Sequence, residues 1–300
     1  MSHHDVIVIG SGITGLAAAR QSLRHALSTI TFEARFVGGL VVNINHLDGD
    51  MQGAGMDLAM DRMAEISDLG AAHLPATVSA ITRDDQGLTV HSDAGNHRAG
   101  AVIVASGAQI RQLGVPGEAE LENLGVSRCA DCDGPLFQGQ DIVVVGGGDS
   151  ALQEALVLAR FARQVRVVHR GSQFGGQAHL AGAVAAAANI TVLWETTVEA
   201  VLGDDAVRAV RIRNAAEGRE QEIACTGFFA YPGLEPMCAF MPDAIARDER
   251  GFLVTDAGLC TTLPGVFAAG AVRAGFGGRL AHAMAEGIAA ADTARDWLRR

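Results

Sequence analysis

Short apolar runs that end in glycine mark two places where a strand is followed by a helix. Asp5-Val-Ile-Val-Ile-Gly10 precedes an alanine-rich segment over 16–26, and Asp141-Ile-Val-Val-Val-Gly146 precedes a similar segment that runs to about residue 162. A short, continuously apolar run is typical of a strand buried in a parallel sheet, and alanine favours a helix. The pattern therefore predicts two strand–turn–helix units.

These units form an internal repeat. Gly10 corresponds to Gly146 and Glu33 to His169, an offset of 136 residues in both cases. Each predicted helix leads to a second apolar strand, 29–33 in one copy and 165–169 in the other. Parallel strands joined through a helix indicate an α/β protein with two doubly wound, Rossmann-like dinucleotide-binding domains.

Segments rich in Gly and Pro mark the places where the chain passes between the two domains. Leu113-Gly-Val-Pro-Gly117 follows the first unit, and Tyr231-Pro-Gly-Leu-Glu-Pro236 follows the second. We therefore predict a discontinuous domain, 1–112 plus 245–300, interrupted by a second domain over 113–244.

Weaker patterns fill the rest of the discontinuous domain. Residues 77–100 alternate β-like runs with turns, which predicts an inserted hairpin sheet. Residues 251–254 and 265–269 are strand-like, and 280–298 is typical of one amphipathic helix.

Composition narrows the class of protein. With 49% hydrophobic and 19% charged residues the chain can bury a core, and its net charge of −11 argues against nucleic acid and anionic membranes as partners. Lysine is absent, which excludes Schiff-base chemistry and a Walker-type phosphate loop. No apolar run is long enough to span a bilayer and no basic signal region precedes the first strand, so we expect a cytoplasmic protein.

The first glycine turn has the features of a dinucleotide site. Gly10, Gly12 and Gly15 lie between a strand and a helix, and Glu33 follows Gly15 by 18 positions. Glycines let a pyrophosphate approach the helix N-terminus, and an acid at this spacing accepts hydrogen bonds from an adenosine ribose. The alternative is a surface turn followed by a solvated glutamate.

The second turn differs at the position that distinguishes NADPH from NADH. Position 169, the counterpart of Glu33, is histidine, and Arg170 follows it. Without a carboxylate to repel a 2′-phosphate, and with a guanidinium to bind one, the site favours NADPH over NADH, although NADH remains possible. Arg170 as an ordinary surface arginine is the alternative. Two such domains with one ligand each indicate a flavin coupled to a nicotinamide cofactor.

A Cys-x-x-Cys motif precedes the second turn. Cys129 and Cys132 are close enough for a disulfide within one helical turn, and such motifs depress the pKa of one thiol. Zinc needs four ligands and the other three cysteines are solitary, so we expect no metal site. A redox-active dithiol is favoured over a structural pair. Asp133 is a candidate to exchange a proton with a sulfur, or alternatively to cap the turn into Gly134.

In order and position, these motifs resemble the low-molecular-weight bacterial thioredoxin reductases and their wider flavoprotein family. The matching stretches cover nearly the whole chain: 10–15, 38–39, 104–107, 129–134, 146–151, 169–170 and 264–270. The resemblance implies an FAD domain interrupted by a pyridine-nucleotide domain, a homodimer, and a twisting motion that alternates which partner meets the flavin.

The resemblance also assigns site residues. The expected FAD-binding residues are Gly10, Gly12, Gly15, Glu33, Gly39, Leu40, Val78, Gly107, Gly270, Ala271, Arg279, Leu280 and Ala281. The expected nicotinamide-nucleotide residues are Gly148, Ser150, Ala151, His169 and Arg170. The expected catalytic residues are Cys129, Cys132 and Asp133.

Several positions depart from the family pattern. Ala271 replaces an aspartate that usually holds the flavin's ribityl chain, and Leu40 and Leu280 replace glutamines. Gly171 and Gly175 stand where the family has two further phosphate-binding arginines. These changes predict altered flavin contacts and less efficient use of NADPH.

Two further features have no family counterpart. Ala230-Tyr-Pro-Gly233 replaces the family's Ala-Ile-Gly, and His282 and Glu286 are spaced i, i+4 on the last predicted helix. We expect that histidine and glutamate to form a solvated pair.

The expected activity is that of a disulfide reductase. Electrons would pass from NADPH through FAD to Cys129–Cys132, and by thiol exchange to a thioredoxin-like protein or a small disulfide. Two alternatives remain open. One is an FAD-dependent dithiol oxidase that closes a disulfide in a small molecule with oxygen as acceptor, and the other is a ferredoxin-fed or redox-sensing flavoprotein without dithiol turnover.

Overall fold

Two units with separate cores make up the chain. The computed structural model describes residues 2–44, 47 and 53–300. One unit comprises Met1–Gln109 with Glu235–Arg300, and the other is Ile110–Leu234.

The N-terminal part of the first unit supplies most of its sheet. Its elements are β1 (Ser2–Ile9), α1 (Ile13–Arg24), β2 (Thr29–Glu33), α2 (Gly55–Asp68), β3 (Ala72–Pro75), β4 (Val78–Asp84), β5 (Gly87–Ser92) and β6 (Gly95–Val104), with β7 (Ala108–Ile110) at the crossing to the second unit. A 3₁₀ helix covers Gly39–Asn43.

The second unit carries the other repeat. Its elements are β8 (Val126–Ser127), α3 (Ala130–Asp133), β9 (Asp141–Val145), α4 (Asp149–Leu158), β10 (Gln164–Val168), α5 (Ala178–Ala186), β11 (Ile190–Leu193), β12 (Thr196–Gly203), β13 (Val207–Asn214), β14 (Glu220–Ala224) and β15 (Gly227–Ala230). After β16 (Leu234–Pro236) at the return crossing, β17 (Val266–Ala268) and α6 (Leu280–Leu298) complete the first unit.

The sheet of the first unit has the order β3-β2-β1-β6-β5-β4, with β17 also paired to β6. β1, β2, β3, β6 and β17 pair in parallel, whereas β4, β5 and the start of β6 pair antiparallel. The hairpin predicted over 77–100 is therefore part of the main sheet. Its last strand continues into the centre because residues 101–104 are wholly buried.

Both faces of this sheet are buried, as the continuous apolar run of β1 predicts. Val6 and Val8 pack with Leu16 and other residues of α1, α2 and α6, while Ile7 and Ile9 face a separate apolar cluster. The predicted strand over 251–254 is absent. Leu253 makes only isolated bridges and contributes its side chain to the second cluster.

The second unit has a five-stranded parallel sheet in the order β11-β10-β9-β15-β8. A three-stranded antiparallel sheet, β12-β13-β14, accompanies it. The first two strands of the repeat, β9 and β10, therefore pair in the same way as β1 and β2.

The unit boundary after the insertion differs from the predicted one. Residues 235–244, which the sequence analysis gave to the second domain, belong to the first unit. The physical reason is burial, because Cys238 and Met241 are buried in the apolar cluster against the first sheet and Phe240 packs against it. The first crossing lies at 109/110 rather than 112/113.

Candidate functional site

The first glycine turn brings three backbone segments into close approach. Gly10 has φ +101°, and a Cβ there would overlap the carbonyl of Ala105. A Cβ on Gly15 would overlap the carbonyl oxygen of Gly10. Gly12 forms a bridge with Gly38, and a Cβ at Gly12 would have ordinary room. Only glycine therefore permits this turn at Gly10 and Gly15.

The polar groups of this turn fit a bound dinucleotide. No side chain caps α1 at Gly12, which leaves its first N–H groups for an anion. The hydroxyls of Ser11 and Ser106 are buried without a hydrogen-bond partner in the described part of the chain. Glu33, at the end of β2, accepts the N–H of Ser11 at 2.8 Å and that of Arg35 at 3.0 Å. Each carboxylate oxygen retains a lone pair for a ligand hydroxyl.

Other expected residues of the first unit lie around this turn. Gly39 approaches the Cα of Gly12, and a Cβ on Gly270 would overlap the side chain of Thr14. Leu280 packs against the apolar cluster of Val41, beside Gly39 and Leu40.

The remaining residues of the expected FAD set are positioned less directly. Gly107, with φ +73°, follows β6, and Ala271 lies in the 3₁₀ helix Gly270–Val272. Arg279 precedes α6 and Ala281 lies in its first turn, both exposed. Val78 is buried in the core at the start of β4, so its side chain is not available to a ligand.

Glu286 does not form the solvated pair that the sequence analysis expected. Its carboxylate is half-buried and makes a two-pronged ion pair with Arg273, at 2.8 Å from Nε and 2.9 Å from Nη2. It also accepts the N–H of Gly270 at 2.8 Å. His282 is exposed. The expectation failed because Arg273, 13 residues away, is a stronger partner than a neighbouring imidazole.

The second glycine turn opens into a cavity. No side chain caps α4 at Gly148, and a cavity of about 370 Å³ lies at this helix end. Its lining includes Gly148, Ser150 and Ala151 from the turn, together with Gly176, Gln177 and Tyr231. The backbone N–H groups at the start of α4 suit a phosphate group, and the carboxylate of Asp149, which also lines the cavity, is held by Gln177.

The segment after β10 folds back over this turn. Gly175 and Gly176 donate their N–H groups to the carbonyl of Gly147 at 2.9 and 3.0 Å. Gln177 donates its backbone N–H and its side-chain amide to Asp149 at 2.7 and 2.8 Å. These hydrogen bonds lower the pKa of Asp149 below its ordinary value.

His169 and Arg170 have different surroundings. The His169 ring packs against Gly147, contacts the rings of Phe174 and Trp194, and hydrogen-bonds the carbonyl of Gln173 at 3.0 Å. Arg170 is exposed and has no ion pair among the residues that the structure describes. Its guanidinium is therefore available to an anionic ligand.

Cys129 and Cys132 form a disulfide, with a Cα–Cα distance of 5.3 Å. The pair flanks the start of α3, where Cys129 is half-buried and Cys132 exposed. The N–H of Cys132 donates to the Cys129 sulfur at 3.2 Å, a contact that follows from the short helical turn. The pair fits a redox-active disulfide.

Asp133 does not cap the following turn. Its Oδ2 accepts the hydroxyl of Ser127 at 2.6 Å, and the Ser127 oxygen accepts the N–H of Cys129 at 3.2 Å. The carboxylate is thus tied through Ser127 to the backbone of the first cysteine.

Two residues next to the disulfide were missed from the sequence. Glu154, on α4, accepts the N–H of Ala130 at 2.8 Å and the hydroxyl of Tyr231 at 3.1 Å. Tyr231 is the only tyrosine of the chain and lies in the Ala230–Gly233 stretch that departs from the family pattern. That departure was the signal available; nothing local marks Glu154.

Metal and membrane features were searched in the same residues. Within 2–44, 47 and 53–300, no group of three or more His, Cys, Asp or Glu side chains is arranged to hold a metal ion. Over the same residues, no helix combines the length and apolar character needed to cross a membrane.

The chain is similar to known proteins over nearly its whole length. The family described as pyridine nucleotide-disulphide oxidoreductase matches residues 4–296. The thioredoxin reductase of Treponema pallidum (strain Nichols) is 35% identical over 299 residues, covering 98% of this chain and 97% of that protein. A bifunctional thioredoxin reductase/thioredoxin of Mycobacterium leprae (strain TN) is 37% identical over 301 residues, covering 98% of this chain and 66% of that protein.

The fold agrees with these sequence matches. The crystal structure of Lactococcus lactis thioredoxin reductase superposes with a TM-score of 0.93 at 32% identity, covering 99% of each chain. This match confirms the predicted Rossmann-type α/β fold, and the disulfide and sequence matches confirm the predicted enzyme class. The chain therefore belongs to the pyridine nucleotide-disulphide oxidoreductase family, as a thioredoxin reductase-like thiol–disulfide oxidoreductase that uses a flavin and a pyridine nucleotide.

Proposed function

We propose that this enzyme binds FAD in its first unit and NADPH in its second, and that it reduces the disulfide of a thioredoxin-like protein through Cys129 and Cys132. The observation that carries the proposal is the Cys129–Cys132 disulfide, placed in the same unit as the second glycine turn. A structural disulfide has no need of two dinucleotide turns in the same chain.

The first unit supplies what FAD binding requires. The turn over 10–15 and the uncapped start of α1 would hold the pyrophosphate, with the unpaired Ser11 and Ser106 hydroxyls as further donors. Glu33 would accept hydrogen bonds from the ribose. A flavin held there would supply two-electron transfer between the nicotinamide nucleotide and the disulfide.

The second unit would hold NADPH by backbone and guanidinium contacts. Gly148 and Ser150 line the cavity at the start of α4, and Arg170 is free to contact a 2′-phosphate. His169 packs over the turn and adds no carboxylate that would repel that phosphate.

The thiol chemistry falls to three residues. Opening of the disulfide leaves two sulfurs, and exchange requires one of them as a thiolate. We expect Asp133, which is tied through Ser127 to the Cys129 backbone, to accept or return a proton during exchange.

We expect a protein partner rather than a small disulfide. The Mycobacterium leprae relative, named as a thioredoxin reductase joined to thioredoxin, supports the same class of partner. We also expect a homodimer, by resemblance to the family.

The test is NADPH oxidation by the flavin-loaded enzyme, with and without a thioredoxin, comparing Cys129→Ser and Cys132→Ser with the wild type. We expect either variant to abolish thioredoxin reduction, while the matched change Cys260→Ser leaves it intact. Normal turnover by both variants would show that the pair is structural. Oxygen consumption driven by a small dithiol, without oxidation of NADPH, would favour the dithiol oxidase alternative.

A further inference from the structure

A carboxylate lies beneath the backbone that joins the two cysteines. Glu154 Oε2 accepts the N–H of Ala130, which follows Cys129 directly, at 2.8 Å. Ala130 is fully buried, so this N–H has no access to water and depends on Glu154 as its acceptor. Glu154 therefore fixes the backbone between the two cysteines.

The same oxygen is held from a second direction. Tyr231 is buried in the apolar cluster with Ala130 and Ala155, and its hydroxyl donates to Glu154 Oε2 at 3.1 Å. Two donors on one oxygen favour the ionised carboxylate. Tyr231 also lines the cavity at the start of α4, so one side chain contacts both the cavity and the support of the disulfide.

The charges around this pair are all of one sign. Asp131, on α3, adds negative charge near Glu154, and Asp133 adds it near Tyr231. Burial, the larger effect, raises the pKa of Glu154 above its ordinary value, while the N–H of Ala130 and the hydroxyl of Tyr231, both neutral donors, oppose that rise.

We propose that Glu154 is a positioning residue for the disulfide reaction, oriented by Tyr231, whose carboxylate holds the Cys129–Ala130 backbone and whose charge disfavours the thiolate form of the reduced pair. The proposal rests on the proposed redox role of Cys129 and Cys132. On reduction the S–S bond breaks, two electrons enter from the flavin that the enzyme uses, and two protons end on the sulfurs. The anion opposes loss of a proton from that dithiol and so raises the pH at which the thiolate needed for exchange forms.

The experiment measures the ionisation of the two cysteine thiols in the absence of turnover. The protein is reduced with dithiothreitol, and the rate of alkylation of Cys129 and Cys132 by iodoacetamide is followed against pH by mass spectrometry. Glu154→Gln keeps an oxygen acceptor for Ala130 and Tyr231 but removes the charge. Tyr231→Phe keeps the ring and the charge but removes the donor. Glu120→Gln removes the same charge from an exposed site.

Glu154→Gln and Tyr231→Phe should shift the pH profile of alkylation in opposite directions. Glu154→Gln should move the alkylation profile about one pH unit lower, and equilibration with dithiothreitol at pH 9 should favour the dithiol about tenfold more. Tyr231→Phe should move the profile to higher pH, and Glu120→Gln should not move it. A Glu154→Gln profile that superposes on the wild type overturns the proposal. If instead the wild-type disulfide is not reduced by NADPH in the flavin-loaded enzyme, the proposed function fails, whatever the variants show.

Discussion

Both glycine turns join a strand to a helix, but the packing contacts within the two turns differ. In the first, the last glycine of the motif is Gly15, and helix α1 lies so close that a Cβ would overlap the carbonyl oxygen of Gly10. In the second, the corresponding position is Ala151, whose Cβ packs towards Gly146. In the first turn, backbone atoms are therefore in direct contact. The second turn leaves room for a Cβ, and the segment over 171–177 covers it.

The carboxylates beside the two turns are also held by different parts of the chain. Glu33 lies at the end of β2 and accepts two backbone N–H groups, so the first turn is fixed from its own side of the sheet. In the second turn the acid is Asp149, within the helix start, and Gln177 from the covering segment holds it. A tightly fixed site suits a cofactor that stays bound, and a covered site suits a nucleotide that enters and leaves.

Adding a methyl group at Gly15, in the first turn, should have the largest effect of these substitutions. Gly15→Ala would force α1 away from Gly10, which costs more than the roughly 1–3 kcal/mol of ordinary overpacking, and FAD should be lost. The flavin absorbance per chain after reconstitution and the thermal midpoint both measure this change.

The repeat supplies the matched control. Ala151→Gly, at the equivalent position of the second turn, should retain the full flavin content. Gly12→Ala, where the nearest atom is the Gly38 carbonyl at 3.7 Å, should fold normally, so any flavin loss there reports the site alone. Equal flavin content in Gly15→Ala and wild type would show that the first turn does not hold FAD.

A substitution of Arg170 tests the second turn, and its expected effect is of intermediate size. A charge-assisted contact with a 2′-phosphate contributes about 1.5–3 kcal/mol, and exposure of this guanidinium reduces that towards its lower end. We expect a preference for NADPH over NADH of about tenfold, erased in Arg170→Ala without loss of FAD. Anaerobic stopped-flow reduction of the flavin measures it, with Arg219→Ala as the control for an exposed arginine of the same unit. Faster reduction of the wild type by NADH would contradict the assignment.

Local sequence patterns carried most of the fold and part of the site. The predicted β2 has the observed bounds, Thr29–Glu33, because its apolar run is buried on both faces and ends at a charge. The disulfide was predictable because its geometry depends on residues three positions apart.

Contacts between distant segments were not predictable in this way. Glu154 meets Ala130 across 24 residues, and Glu286 meets Arg273 only because α6 packs beside the turn at Gly270. The segment over 235–244 was misassigned for the same reason. Its apolar residues have no strand or helix period, and their burial depends on a sheet formed more than a hundred residues earlier.

The smallest expected effect concerns the first residue of each repeat. Asp5, before the first turn, accepts the N–H and hydroxyl of Ser28, whereas its counterpart Asp141 pairs with Arg163 and Arg166 at 2.8 and 3.2 Å. The two arginines hold the pKa of Asp141 below its usual value. The ion pairs therefore stabilise the folded protein above the unfolded-state pKa, near 4, and this contribution is lost as the pH falls through the folded-state pKa. Asp141→Asn should lower the thermal midpoint at pH 7 by about 2–4 °C, corresponding to about 1 kcal/mol, and by less at pH 3. Asp204→Asn, in an exposed turn, controls for the loss of one negative charge. A deficit for Asp141→Asn that is the same at both pH values would show that the carboxylate acts through packing rather than through its charge.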